Sequence, residues 1–224
     1  MRIETARERL GSLPDPLPGG PSELTPLLTD GRARSFAARV PATDRPAAVL
    51  VLIVPGADGS ARVILTERPT YDGLHSGEVS FPGGKVEPGD ADIVATALRE
   101  ATEEVGLDPV AAGLTIVGRL DEVWIPVSLF ALVPILAIAE RPPVLEPSPV
   151  EVARIIEAPL SGFLPDAPIR IVERTVRDWP LRYGAYPVRA ADGTELLVWG
   201  ATARILGQLG AVLAGEPAAE RGRS

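Results

Sequence analysis

Glu100, Glu103 and Glu104 place three negative charges within five residues, and Arg99 supplies one positive charge beside them. At helical spacing the three carboxylates fall within about one quadrant of the cylinder. They lie well round from an apolar stripe of Val94, Leu98, Ala101 and Val105, at i, i+4, i+7 and i+11. Like charges at i, i+3 and i+4 repel by on the order of 0.2–0.5 kcal/mol per pair in an isolated helix. A hard divalent cation held by carboxylate oxygens would offset that repulsion and keep coordination positions open for phosphate oxygens. A solvated acidic face is the plainer account of such a run. The residues upstream tip the balance. Phe81-Pro82-Gly83-Gly84 makes a turn whose glycines let backbone N–H groups approach a ligand, and Pro88-Gly89 breaks the chain again before Asp90 or Asp92 can cap the helix. Glycine turn and carboxylate helix, at short fixed spacing, form two halves of a cation site suited to pyrophosphate chemistry.

These parts need a scaffold. Residues 47–54 are a continuous apolar run bounded by prolines, the pattern of a strand buried on both faces, and residues 61–66 pair with it across Gly56-Ala57-Asp58-Gly59. Residues 114–124 and 129–138 are β-rich and separated by Ile125-Pro126-Val127-Ser128; Pro134 predicts an edge, a bulge or a break in the second. Further β segments are expected at 152–156, 169–176, 186–188 and 196–199, a proline-rich loop at 141–149, and a closing helix over 200–213. Ahead of the scaffold stand a short helix over 2–10 and a Pro/Gly-rich linker over 14–21. No internal repeat is present. This order predicts an α/β (α+β) domain with a mixed sheet between helices. The expected layout is an N-terminal extension over 1–35, the main domain over 36–216 and a flexible tail over 217–224.

The chain resembles the Nudix hydrolases. Their box runs Gly, five residues, Glu, seven residues, Arg-Glu, an aliphatic residue, any residue, Glu-Glu, any residue, Gly. Gly84, Arg99, Glu100, Ala101, Glu103, Glu104 and Gly106 match its ends. Asp90 stands for the first glutamate, with eight residues between it and Arg99. The same departures occur in the coenzyme A pyrophosphatase branch. Its upstream signature reads Leu-Leu-Thr-x-Arg-Ser, three residues, Arg, three residues, Gly, three residues, Phe-Pro-Gly-Gly. Ile64-Leu65-Thr66-Glu67-Arg68-Pro69, Gly73, Gly77 and Phe81-Pro82-Gly83-Gly84 are similar to it in identical register, with Pro69 for the serine and Gly73 for the arginine. His75 falls where that branch commonly has a histidine, and Trp199-Gly200-Ala201-Thr202-Ala203 is similar to its closing Trp-Gly-x-Thr-Ala helix.

That resemblance implies a Nudix-like α/β/α sandwich with a mixed β-sheet. It implies water attack on a diphosphate, here coenzyme A or acyl-coenzyme A cleaved to 3′,5′-ADP and the 4′-phosphopantetheine moiety. Gly73 keeps open another nucleoside diphosphate derivative (ADP-ribose, NADH or a nucleoside triphosphate), and a catalytically inert ligand-sensing domain is the third reading. The implied catalytic set is Arg99, Glu100, Glu103 and Glu104. Glu100 and Glu104, one turn apart, lead as metal ligands with Glu103 in addition, and Arg99 orients the carboxylates. The expected ion is Mg²⁺ or Mn²⁺, since all-oxygen ligands favour hard cations. Arg68, His75, Gly83 and Gly84 are the expected substrate contacts. Glu78 is an alternative metal ligand or an ordinary exposed residue, and the general base comes from the three glutamates or from Glu151. Phe81 and Trp199 are taken as core. A homodimer is implied by the resemblance alone.

Composition bounds the rest. A chain of 224 residues with 46% hydrophobic content suffices for one well-cored domain. The formal charge of −8 argues against general nucleic-acid affinity, which needs Lys and Arg to neutralise phosphates. Absence of cysteine excludes disulfides, thiolate catalysis and cysteine-ligated zinc. No signal peptide precedes residue 30 and no apolar run reaches the roughly 18 residues of a membrane span, so a soluble, cytoplasmic protein is expected.

Overall fold

The computed structural model describes residues 1–30, 45–69, 77–125, 129–176 and 179–215. Along them run α1 (Ile3–Leu10), β1 (Leu27–Leu28), β2 (Arg45–Pro55), β3 (Ala61–Glu67), β4 (Val79–Ser80), β5 (Gly83–Lys85), α2 (Ile93–Val105), α3 (Pro109–Ala112) and β6 (Leu114–Arg119). There follow β7 (Val123–Ile125), β8 (Phe130–Ala139), β9 (Arg154–Pro159), β10 (Arg170–Val176), β11 (Trp179–Arg189), β12 (Glu195–Val198) and α4 (Gly200–Ala214).

The spine is β2, whose residues 47–54 are all buried. Alternation sends Ala48, Leu50, Leu52 and Val54 to one side, where Ala97, Ala101 and Val105 of α2 meet them. Val49, Val51 and Ile53 go to the other, against Ile3, Ala6 and Leu10 of α1 and Ile205, Leu206 and Leu209 of α4. A strand buried on both faces needs apolar residues at every position, which is why the run does not alternate. The sheet order is β4-β3-β2-β8-β6, with β5 also on β2, β7 on β8 and β9 on β3. Among the described strands only β2 and β8 pair in parallel, so the sheet is mixed and lies between helical layers.

Pro134 departs from expectation. β8 is central, paired with β2 on one side and with β6 and β7 on the other. The break lies in its neighbours: β6 pairs down to Arg119 opposite Ile135, β7 starts at Val123 opposite Leu132, and between them Leu120 donates its N–H to the Pro134 carbonyl at 3.0 Å. The proline's missing donor faces the gap between two partner strands, so no ladder bond is lost.

The late β residues form a second sheet, β1-β11-β10 with β12 on β11. β11 is much longer than residues 186–188: it runs through Pro180 and Gly184, with Leu181 and residues 183–186 buried. The segment expected as a linker packs closely. A Cβ on Gly20 would lie 2.8 Å from the Gln208 backbone nitrogen of α4. Gln208 itself donates Nε2 to the Pro18 carbonyl at 3.2 Å and to Asp121 Oδ2 at 2.6 Å, and accepts the Asp121 N–H at 2.9 Å. Among the described residues no helix is long and apolar enough to cross a membrane.

Candidate metal and diphosphate site

Helix α2 is set by its ends. Asp92 caps the N-terminus by accepting the Ala95 N–H at 2.8 Å, and Gly106 ends it in the left-handed region at φ 65°. With Ala97, Ala101 and Val105 fixed under β2, the residue three beyond Ala101 cannot point freely outward. Glu104 is therefore only 7% exposed, contrary to the expectation that all three glutamates sit well round from the apolar stripe. β5 closes over it, and the Gly83 N–H donates to Glu104 Oε2 at 3.2 Å. Gly83 has φ 155° and a Cβ there would lie 2.6 Å from Val49 Cα, so only glycine admits this approach. Gly84 is constrained from the other side: its Cβ would lie 2.7 Å from Glu100 Oε2.

Arg99 is the hub. Its Nε and Nη2 donate to the two oxygens of Asp90 at 2.9 and 3.1 Å, and Nη2 also donates to the Lys85 carbonyl at 3.0 Å. Its Nη1 donates to Glu100 Oε1 at 3.1 Å and to Glu103 Oε2 at 3.0 Å. Asp90 further accepts from Thr96 Oγ1 at 2.8 Å and the Glu87 N–H at 2.9 Å. These bonds, that from Arg99 first, hold its carboxyl well below the usual range. Sequence reasoning kept Asp90 out of the site residues because it broke the motif's spacing. A carboxylate before a helix carrying the one nearby arginine was the available signal.

The electrostatics suit a cation. Burial pushes Glu104 up to about 7, against the Gly83 N–H and Arg68, with Glu100 and Glu151 adding to the rise. Burial also raises Glu100, which Arg99 opposes while Glu103 and Glu151 reinforce it. Glu151 is thus within electrostatic reach of both, on a loop joined to α2 by Ser148 N–H to the Glu104 carbonyl at 2.8 Å and Glu146 N–H to the Val105 carbonyl at 3.0 Å. Among the described residues no three acidic or histidine side chains already converge on one ion-sized space. Even so, the donor set fits a hard divalent cation: two carboxylates raised by burial and by neighbouring acids, all oxygen, bordered by a glycine that leaves room at Glu100.

The other expected residues divide. Arg68 stands at the end of β3 within electrostatic reach of Glu104, and its N–H donates to the Glu78 carbonyl at 3.0 Å. Glu103 is half exposed, at the rim, held by Arg99. His75 and Gly73 lie outside the described residues. Phe81 is core, at 2% exposure, but Trp199 is only half-buried.

The NUDIX domain family profile matches residues 44–139. The mitochondrial Nudix hydrolase 15 of Arabidopsis thaliana is 40% identical over 162 residues, covering 71% of this chain and 55% of its own. The chain spans about half the length of this and the similar chloroplastic plant relative. The Nudix hydrolase NudL of Shigella flexneri is 34% identical over 180 residues, 76% of this chain and 84% of that one. A Nudix hydrolase from M. smegmatis, RenU, superposes with a TM-score of 0.43 at 24% identity, covering 53% of this chain and 73% of the other. With identity of 34% across 84% of NudL, the chain belongs to the Nudix hydrolase family.

Proposed function

We propose that this chain is a divalent-cation-dependent hydrolase that cleaves the diphosphate of coenzyme A or its acyl esters, giving 3′,5′-ADP and the (acyl-)4′-phosphopantetheine moiety. One contact carries the reading: the Gly83 N–H on the buried Glu104 carboxylate, at 3.2 Å, which ties the glycines of β5 to the acidic helix. Glu100 and Glu104 would hold the cation, Mg²⁺ or Mn²⁺, with Glu103 at the rim. Bound there, the cation supplies positive charge to the diphosphate oxygens and acidity to an attacking water. The chain's own residues do the rest. Arg99, fixed by Asp90, turns Glu100 and Glu103 into place. Gly83 and Gly84 let diphosphate oxygens come up to the backbone, and Arg68 adds a positive charge next to Glu104. Glu151, outside the ligand set but within electrostatic reach of it, is assigned the proton of the attacking water.

The choice of coenzyme A is supported by the register of residues 64–84 and the eight residues before Arg99. Gly73, in place of the branch's arginine, favours a second reading, hydrolysis of ADP-ribose, NADH or a nucleoside triphosphate. The same proposal takes the protein to be a cytoplasmic homodimer acting on a small nucleotide. Incubation of the full chain with Mg²⁺ and coenzyme A, followed by mass spectrometry, should give both products, and Glu104→Gln should slow their release by at least about a hundredfold. Absence of both products while another diphosphate is cleaved would remove coenzyme A.

A further inference from the structure

Trp199 follows β12 directly and stands at the N-cap of α4. Its indole stacks on the ring of Tyr183, with centroids 5.0 Å apart and planes at 26°, and the guanidinium carbon of Arg174 lies 5.5 Å from the indole centroid. Pairing of β10 with β11 sets Arg174 opposite Leu181 and Val172 opposite Tyr183, so the four share one face of the small sheet. Tyr183 is 3% exposed, whereas Arg174 is exposed. The aromatic pair is the floor and the cation is the accessible part.

This corner adjoins the carboxylate site. β12 lies against β4, which runs through Phe81-Pro82 into the glycine turn. Glu78, just before β4, accepts the Arg68 N–H at 3.0 Å. Burial raises the Tyr183 hydroxyl; Arg174 opposes the rise by charge and a hydrogen bond, and Glu78 adds to it. The contact of β12 with β4, and the backbone bond that ties Glu78 ahead of β4 to Arg68 at the end of β3, join the corner to the strands that border the carboxylate site.

An arginine laid on an aromatic surface is already ordered and keeps donors for a planar or tetrahedral oxyanion. On a chain of formal charge −8, such a cation beside an acidic site is useful to a polyanionic ligand. The scissile diphosphate already has a cation site and a glycine turn. We infer that Arg174, laid on the Trp199 ring that stacks on Tyr183, binds a phosphate monoester that the substrate carries apart from the diphosphate that is cleaved. This rests on the hydrolase reading above and assigns the selectivity of that site.

The test compares adenosine 3′,5′-bisphosphate with AMP by calorimetric titration, and coenzyme A with 3′-dephospho-coenzyme A by steady-state kinetics, on the full chain with Mg²⁺. The wild type should favour the bisphosphate by about tenfold or more, as a charge-assisted contact implies. Arg174→Gln should abolish that preference and raise KM for coenzyme A by a similar factor, with kcat and the dephospho analogue unchanged; Arg174→Lys should recover part of it. A preference that survives Arg174→Gln, or equal loss for AMP and bisphosphate, overturns the inference. Equal binding of the two by the wild type also overturns it. If the wild type cleaves no diphosphate yet keeps an Arg174-dependent preference, the hydrolase reading falls and this inference stands.

Discussion

Asp90 grips Arg99 through two bonds, Nε to Oδ1 at 2.9 Å and Nη2 to Oδ2 at 3.1 Å, and the other guanidinium nitrogen is thereby left to Glu100 and Glu103. A two-bond arginine–carboxylate grip fixes orientation as well as position. Asp90→Asn keeps the shape and removes the charge. We expect kcat to fall about 10–100-fold, the range for residues that orient metal ligands, with folding retained. Mg²⁺ titrations of rate would show whether apparent metal affinity weakens as well, and an unchanged rate would count against Asp90 as a positioning residue.

Adjacent glycines should fail in different ways. Gly84→Ala pushes a methyl against the Glu100 carboxylate, a movable group, so activity and metal affinity should drop about tenfold or more while the melting temperature holds. Gly83→Ala meets the backbone of Ala48 and Val49 at φ 155°, so about 1–3 kcal/mol of stability should go with the activity. Thermal unfolding of the two variants side by side separates the cases.

The Glu104 carboxyl gives stability a pH slope. Its pKa in the folded metal-free protein, about 7, exceeds the 4.5 of a free glutamate, so the native state binds the extra proton. Stability from this group is full below about pH 4.5 and is lost as the pH rises through 7, on the order of 3 kcal/mol in all. Glu104→Gln should thus melt near the wild type at about pH 5 and several degrees above it at about pH 8, without metal. Because ligands bind cations deprotonated, added Mg²⁺ should raise the wild-type melting temperature more at the higher pH. A difference between variants that does not change with pH would refute the assignment.

Gln208→Leu should cost stability and spare chemistry. It strips partners from the Pro18 carbonyl and from Asp121, a loss of about 1–3 kcal/mol or several degrees of melting temperature. Turnover at room temperature should match the wild type.

Legibility followed locality. The β2 run and the α2 stripe are patterns within a few residues, and each is found where periodicity put it. What escaped depended on distant partners. Glu104 is covered by Gly83, far up the chain. Pro134 is tolerated because β6 and β7 separate opposite it, and no local rule foretells a neighbour's gap. Asp90 breaks the motif's spacing, and only its bonds to Arg99, nine residues on, give it a place at the site. Trp199 looked like core because an isolated tryptophan carries no record of the Arg174 laid on it.

The packing of α1 and Gly20 on α4 has a consequence for where this protein can be cut. The NUDIX match begins at residue 44, yet Ile3, Ala6, Leu10 and Leu24 fill the same core as Ile205, Leu206 and Leu209, and α4 starts from Trp199. A fragment trimmed to the matched segment would present that core face to water and lose the platform under Arg174. The recognisable segment is narrower than the core it packs in, and the chain's first 24 residues help fill that core without contributing a reactive group.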